Sequence, residues 1–411
     1  MYIGIQIRLH SARFIMDFFC FILCIAVFSA AGACSTNRRV IKNDTLDDLD
    51  GRRMRYKNLF PPKYGLGEET EYDRIDFLKG HERKPHKYRL LADPRGEDID
   101  RTLGYDPSEY TVYPDFKILQ NPTHDVQITW IRHASFLIQL GGKYQILIDP
   151  VLEQWDGLAG KFAKYTAIEA PKAKSPLAAE DVPFGSGSEN SGENATVIVA
   201  ISHDHLDHFN FRTLKKLPEN TRYYVPHGLE GDFPLRYANV IGMDWYTQNT
   251  IGDLTIHFLP ANHGSGIYSH EQDQSLWGGW LFEWNDYRIY FAGDTGYSAV
   301  FKDIKSHIGE IDICLMPIAA WYWRHRHFAP EDAVQAAKDL SCNVFIPWGW
   351  GTWIMSYEHM LEPPRRLQYA WDQMQPENME LQMLKMGETY STELNKPAIQ
   401  TKKSNNQLFS D

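Results

Sequence analysis

Positive charge is in short supply in this sequence. Its 42 Lys and Arg residues face 53 Asp and Glu, a formal charge of −11 over 411 residues. A chain that binds nucleic acid needs a basic stripe, and one held to anionic lipid by charge alone needs a basic patch. The balance argues against both. Cysteine is scarce as well, 5 in all, and no internal repeat at a fixed short period is evident. The rest of the composition is globular: 43% hydrophobic, 23% charged and 13% aromatic, enough to bury a substantial core. Length alone allows one large domain or two ordinary ones.

The N-terminus reads as a targeting segment. Arg8 and Arg13 precede an apolar run from Phe18 to Ala33, and Ala31-Gly32-Ala33 lead into Cys34. A positive start, an apolar middle and a small-residue exit describe a secretory signal peptide over 1–33. The run is shorter than the roughly 20 residues of a spanning helix. Its end resembles a bacterial lipobox, so the expectation is cleavage before Cys34 and lipidation there. A plain signal peptide or an uncleaved anchor are the alternatives. The chain is then exported and lipid-anchored in the bacterial cell envelope. Ser35, in place of an Asp, favours the outer membrane. Cys20 and Cys24 leave with the signal. Cys314 and Cys342 remain beside apolar segments and read as buried, inert thiols, with a disulfide as the alternative in an oxidising compartment.

Residues 34–125 are polar and poor in strand patterns, a tether followed by a loosely packed N-terminal extension. The main domain is expected over 126–393. Val126–Trp130, Ser135–Leu140 and Tyr144–Ile148 read as strands, with Gly141-Gly142 as a tight turn. Residues 151–195 are irregular, and Gly185–Asn194 is a flexible polar loop. Further strands are expected at Thr196–Ile201, Arg222–Val225, Leu254–Leu259, Gly279–Trp284, Arg288–Phe291, Asp312–Met316 and Val344–Ile346. Phe211, Leu214 and Leu217 mark a short helix. Longer helices are expected from Ser298 to about His307 and from Pro330 to about Leu340, the latter opened by its proline. Two β-rich halves, each followed by helices, give an α/β fold of four layers, an αββα sandwich. A polar tail covers 394–411.

Residues 202–208 read Ser-His-Asp-His-Leu-Asp-His directly after a wholly apolar strand. Imidazole and carboxylate are the usual hydrolytic ligands for zinc. His203 and His205, two apart in extended chain, project to one side, and Asp207 and His208 follow where the chain turns and can face a second ion. His263 and Asp294 each follow a predicted strand, where loops converge on one face. Gly293 and Gly296 let the backbone approach whatever Asp294 binds.

These words together resemble the metallo-β-lactamase superfamily, and more narrowly N-acyl-phosphatidylethanolamine-hydrolysing phospholipase D and its bacterial relatives. Trp130-Ile131-Arg132-His133-Ala134, Asp149-Pro150, Met316-Pro317-Ile318, Pro330-Glu331-Asp332-Ala333-Val334 and Glu358-His359-Met360-Leu361-Glu362-Pro363-Pro364 extend the likeness over 126–390. The resemblance implies a two-zinc site. His203, His205 and His263 would hold the first ion, Asp207 and His208 the second, with Asp294 bridging. It also implies a further histidine at the position of Gly349, and none is there. The second ion is then held by Asp207, His208, Asp294 and waters, or His325 or His327 reaches in, or the site takes one metal, or it no longer turns over.

The expected chemistry follows from charge. A metal lowers the pKa of bound water towards neutrality, giving a hydroxide at working pH. Asp207 would orient it, and His327, which matches a histidine near the site in those relatives, would protonate the leaving group. Trp321–His327 puts aromatics beside Arg324 and Arg326, suited to acyl chain and phosphate or to a core loop with solvated arginines. Trp348, Trp350 and Trp353 allow the same two readings, with core packing favoured. The function read from these residues is a phospholipase D-type phosphodiesterase acting on N-acyl-phosphatidylethanolamine or a similar phospholipid. A lactone or amide hydrolase, a single-iron redox site and a non-catalytic envelope protein with a degenerate metal site are the alternatives.

Overall fold

A computed structural model describes residues 55–65, 70–76, 105–153, 171–185, 195–266, 273–356 and 358–394, with a few shorter stretches before them. The signal segment 1–33, Cys34, most of the Gly185–Asn194 loop and the tail beyond 394 lie outside the described residues.

Two seven-stranded sheets form the body. The chain builds β1 (Val126–Arg132), β2 (Ser135–Leu140), β3 (Tyr144–Ile148), β4 (Thr196–Ala200), β5 (Arg222–Pro226) and β6 (Val240–Met243) in one sheet. It then builds β7 (Thr247–Ile251), β8 (Leu254–Pro260), β9 (Gly278–Trp284), β10 (Tyr287–Phe291), β11 (Ile311–Pro317), β12 (Cys342–Trp348) and β13 (Glu380–Leu381) in the other. Finally β14 (Thr389–Thr392) returns to pair with β1. The order is β6-β5-β4-β3-β2-β1-β14 in the first sheet and β7 to β13 in sequence in the second. Each sheet has an antiparallel half and then a parallel half. The two halves of the chain repeat one plan.

Period-two alternation splits the apolar residues of the first sheet between two cores. Ile128, Trp130, Phe136, Ile138, Ile146 and Ile198 share a cluster with Phe258, Trp280, Phe282 and Phe291 of the second sheet. Their alternate neighbours Ile131, Leu137, Leu147, Val199 and Val225 form another on the far face. That far face is covered thinly, by α1 (Phe116–Gln120), α2 (Phe211–Leu214) and loops. Buried glutamines pin these loops: Gln139 Nε2 donates to the Leu119 carbonyl at 2.8 Å, and Gln145 Nε2 to the Pro183 carbonyl at 2.9 Å. Over the second sheet lie α3 (Val300–Ile308), α4 (Pro330–Leu340) and α5 (Glu362–Met374), with α4 packed on β11 and β12 and touching α3 and α5. The αββα sandwich is therefore as expected. Among the described residues no helix is long and apolar enough to cross a membrane.

Three local readings change. First, α5 has no counterpart among the predicted elements, although Pro363 and Pro364 in its first turn are a helix-start signal. Second, Cys314 and Cys342 form a disulfide instead of remaining inert thiols. Their neighbouring strands set the Cα atoms 6.0 Å apart, within the normal bridging range. Third, a few residues of 34–125 anchor in the main domain, although most of its described residues are exposed or half-buried. Tyr56 and Tyr110 are buried in the main core, and Tyr105 stacks on Tyr110, whose ring meets Trp350 edge-on.

Candidate metal centre

The strand ends deliver the site. Asp149 follows β3, the Ser202–His208 loop follows β4, His263 follows β8 and Asp294 follows β10. Each parallel strand ends at the same edge, so side chains distant in sequence meet there. Gly293 takes a left-handed φ of 62°, and a Cβ there would sit 2.5 Å from the Gly278 carbonyl. A Cβ on Gly296 would sit 2.5 Å from the His325 carbonyl. Both glycines let the Asp294 loop close onto its neighbours.

The donor atoms fall into two groups. His203 Nε2 lies 2.9 Å from His205 Nδ1, which lies 3.2 Å from His263 Nε2. Two unprotonated imidazole nitrogens cannot bond to each other. A tetrahedral zinc with Zn–N of about 2.05 Å would space its nitrogens by about 3.3 Å, close to what is seen. The second group is Asp207, His208 and His133, all buried. Asp294 Oδ2 stands between the groups, 3.4 Å from His208 Nε2 and 3.9 Å from His263 Nε2. Of the ionisable residues in 202–208, only Asp204 turns away. It accepts from the Gly266 amide at 2.7 Å and braces that loop.

The outer hydrogen bonds fix which nitrogen faces inward. His263 Nδ1 donates to the Arg326 carbonyl at 3.0 Å, and His208 Nδ1 to Asp149 Oδ2 at 2.7 Å. Ser202 Oγ gives its proton to Asp149 Oδ2 at 2.5 Å and accepts from His203 Nδ1 at 2.9 Å. Each ring therefore points a lone pair at the centre, the arrangement metal ligands need. His208 Nε2 is buried with no hydrogen-bond partner. The donor set, its orientation and this orphaned nitrogen fit divalent cations.

Charge agrees. Burial drives the imidazoles of His203 and His263 well below their ordinary value, so both are neutral and able to ligate. Burial also opposes charge on His208, yet Asp294, Asp207 and Asp149 outweigh it and lift that ring well above the usual range. Those carboxylates draw a positive charge to the site, and a bound cation supplies it without the proton. Burial opposes ionisation of Asp207 and Asp294 too, but His208 and its neighbours hold both below the usual carboxylate range.

A cavity of about 320 Å³ opens over the centre, lined by His205, Asp207, His263, Asp294 and His327 with Leu206, Trp323, Arg326 and Met355. His327 Nδ1 is 3.6 Å from Asp294 Oδ2. Burial pushes its ring down to about 4, so it enters neutral. His325 lines neither that cavity nor any donor group. The Trp321–His327 stretch thus divides. Arg324 is buried and paired with Glu331 at 2.8 Å and Asp332 at 2.7 Å, while Arg326 faces the cavity. Trp348, Trp350 and Trp353 are buried, with Trp348 stacked on Phe291, so they are core.

A family model described as a beta-lactamase superfamily domain matches residues 144–350, half the chain. The protein belongs to the metallo-β-lactamase superfamily. An uncharacterized protein of Mycobacterium tuberculosis is 29% identical over 250 residues, 58% of this chain and 62% of that one. The chain therefore spans less than two thirds of that relative's length. An N-acyl-phosphatidylethanolamine-hydrolyzing phospholipase D of Caenorhabditis elegans is 29% identical over 265 residues, 59% of this chain and 69% of that one. A solved metallo hydrolase of the archaeon Ignicoccus hospitalis is 20% identical with a TM-score of 0.48, over 65% of this chain and 98% of that one.

The sequence marked Asp149 only as part of a family word at the end of a hairpin, with no role; it holds both Ser202 and His208. Another supporting residue carries no signal at all. Asn58, inside the supposed extension, accepts from the His263 amide at 3.1 Å and from Trp277 Nε1 at 2.9 Å. Its Nδ2 donates to the His263 carbonyl at 3.3 Å. Nothing in the sequence near residue 58 announces that clamp.

Proposed function

We propose that this member of the superfamily is a metal-dependent hydrolase, a phospholipase D-type phosphodiesterase that takes N-acyl-phosphatidylethanolamine or a similar phospholipid. The observation that carries the reading is Arg326. It is a half-buried guanidinium without an ion pair or side-chain hydrogen bond among the described residues, in the same cavity as Asp207, Asp294 and His327. A free guanidinium is a natural fork for an anionic phosphodiester, and Leu206, Trp323 and Met355 offer apolar surface beside it. A neutral lactone or amide gives that charge nothing to pair with. The phospholipase D relative supports the same substrate class.

In this reading His203, His205 and His263 would hold one zinc ion, and Asp207 and His208 a second, with Asp294 available to either. Bound divalent ions supply Lewis acidity and acidify coordinated water. The chain's own residues do the rest. Asp207, kept ionised, accepts a hydrogen bond from the attacking water and orients it. Arg326 neutralises a phosphoryl oxygen, and neutral His327 donates a hydrogen bond to the departing headgroup oxygen. Water adds to phosphorus, the bond from phosphorus to the headgroup oxygen breaks, and one proton of that water ends on the departing alcohol. The anchor at Cys34 would keep the chain at the envelope lipid it cleaves.

The test is hydrolysis of N-acyl-phosphatidylethanolamine in mixed micelles by the zinc-loaded chain. Release of N-acylethanolamine with phosphatidic acid is expected, and Arg326→Gln should lower kcat/KM about 10- to 100-fold, the scale of a charged hydrogen bond. Turnover of uncharged lactones or amides with no turnover of any phosphodiester would replace this reading.

A further inference from the structure

An ion between Asp207, His208 and Asp294 has one imidazole and two carboxylates, and Gly349 adds nothing to them. Gly349 follows β12 at a φ of 92°, and a Cβ placed there would meet Ile318 and Pro317 at 3.9 Å, ordinary contact. The position has no side chain to offer.

We propose that His133, presented from the end of β1, is the imidazole that completes this second metal position. The proposal rests on the divalent-metal reading of the centre but not on any substrate. His133 is 4% exposed, and its Nε2 lies 3.0 Å from Asp207 Oδ2. Its ring nitrogen, an Asp207 oxygen and a His208 nitrogen all lie within 4.8 Å of one another, a spacing one cation can bridge. His327 does not compete for the place, because its nitrogen groups with His263 and Asp294 on the side of the first ion.

The surroundings of His133 hold it there. The loop after Gly349 grips it: Thr352 Oγ1 accepts from the His133 amide at 3.2 Å, and Trp353 meets the ring edge-on at 4.7 Å between centroids. Trp348 adds a second edge contact at 6.3 Å. On the other side, Trp130 Nε1 donates to the His133 carbonyl at 2.8 Å. These contacts hold the backbone at a φ of 45°, a left-handed conformation unusual for histidine. Such outliers persist when surrounding structure over-determines them, often at functional sites. The buried Nδ1 has no partner, so no hydrogen bond on the outer face commits Nε2 to being a donor to Asp207. The segment that carries no ligand of its own thus becomes the cradle for one from the opposite sheet.

The competing role is a plain hydrogen bond from His133 to Asp207. Two variants of the full chain separate them. His133→Gln keeps an N–H for Asp207 but has no imidazole. His133→Gly suits the left-handed backbone and leaves a space that free imidazole can enter. The readout is zinc per chain by elemental mass spectrometry at fixed free zinc, with folding followed by circular dichroism. The wild-type chain is expected to hold about two ions, and both variants about one. Imidazole should return the second ion to His133→Gly. X-ray absorption of the wild-type zinc protein needs no variant and should count imidazole from His203, His205, His208, His263 and His133 together. Two ions in His133→Gln, or a wild-type count without the fifth imidazole, would overturn the proposal. Neither result touches the phosphodiester reading, which is decided by substrate.

Discussion

Asp149 offers a sharp test of how the centre is built. It is fully buried and accepts three hydrogen bonds: from the Ser202 amide at 2.7 Å, from Ser202 Oγ at 2.5 Å, and from His208 Nδ1 at 2.7 Å. Asp149→Asn preserves volume but supplies one acceptor oxygen in place of two. In the best arrangement that oxygen keeps His208 and Ser202 Oγ, while the new amide group abuts the Ser202 N–H. One orphaned donor should cost about 1–3 kcal/mol of stability, and the two surviving bonds lose the strength a charged acceptor gives. Loss of an outer partner of a metal-ligating histidine should weaken metal binding about 10- to 100-fold, roughly 1.4–2.7 kcal/mol. At a free zinc level that saturates the wild type, the stabilisation by metal should shrink by a similar amount. Zinc affinity would be measured by competition with a chelator, and stability by thermal unfolding with and without zinc. Ser202→Ala is the comparison: it leaves the Asp149–His208 bond in place but removes the outer partner of His203, so its effect should fall on the first ion. A folded Asp149→Asn protein that binds zinc within twofold of wild type would refute the reasoning.

Other expectations are simpler to state. Glu331 accepts from Arg366 at 2.6 and 2.9 Å and from Arg324 at 2.8 Å, all buried, so Glu331→Gln should cost about 3–5 kcal/mol in chemical denaturation; an unchanged midpoint would mean the guanidinium groups find other partners. Reducing the Cys314–Cys342 bridge, which spans 28 residues, should cost about 3.5 kcal/mol on loop entropy, visible as a lower melting temperature in reductant and absent in a double Ser variant. His227 Nδ1 lies 3.0 Å from Glu230 Oε1. That hydrogen bond raises the His227 pKa against burial and, against burial again, lowers that of Glu230. The raised His contributes stability below its unfolded value of about 6.5, lost as pH rises through the folded one. The lowered Glu contributes above about 4.3 and is lost in acid. His227→Gln should therefore be most destabilising near pH 5–6 and least above neutrality; a flat difference across pH would contradict the pairing. Cys34→Ala should abolish lipid labelling and release the chain from membranes, and continued labelling would exclude that anchor.

What could be read from sequence was mostly what lies close along the chain; His263 and Asp294, far from the cluster, were legible through the strand ends they follow and the family words around them. His203, His205, Asp207 and His208 occupy one loop after one apolar strand, so their convergence needs only local geometry. The alternation of apolar residues marked most strands for the same reason, since period two is a property of the strand itself. The short edge strands β6, β7, β13 and β14 and helix α5 carried weaker local patterns. They are fixed by pairing and packing with distant segments.

The tertiary structure decided the rest, because it alone sets which distant groups meet. His133 reaches Asp207 across 74 residues, and Asn58 reaches His263 across 205. Composition could not separate Arg324 from Arg326, two residues apart. The fold buries one among Glu331 and Asp332 and turns the other into the cavity. Residue types and local spacing determined that a metal-ligating cluster exists. Strand order and loop packing determined which side chains hold it in place, because burial and hydrogen bonding act between neighbours in space, however far apart they stand in the chain.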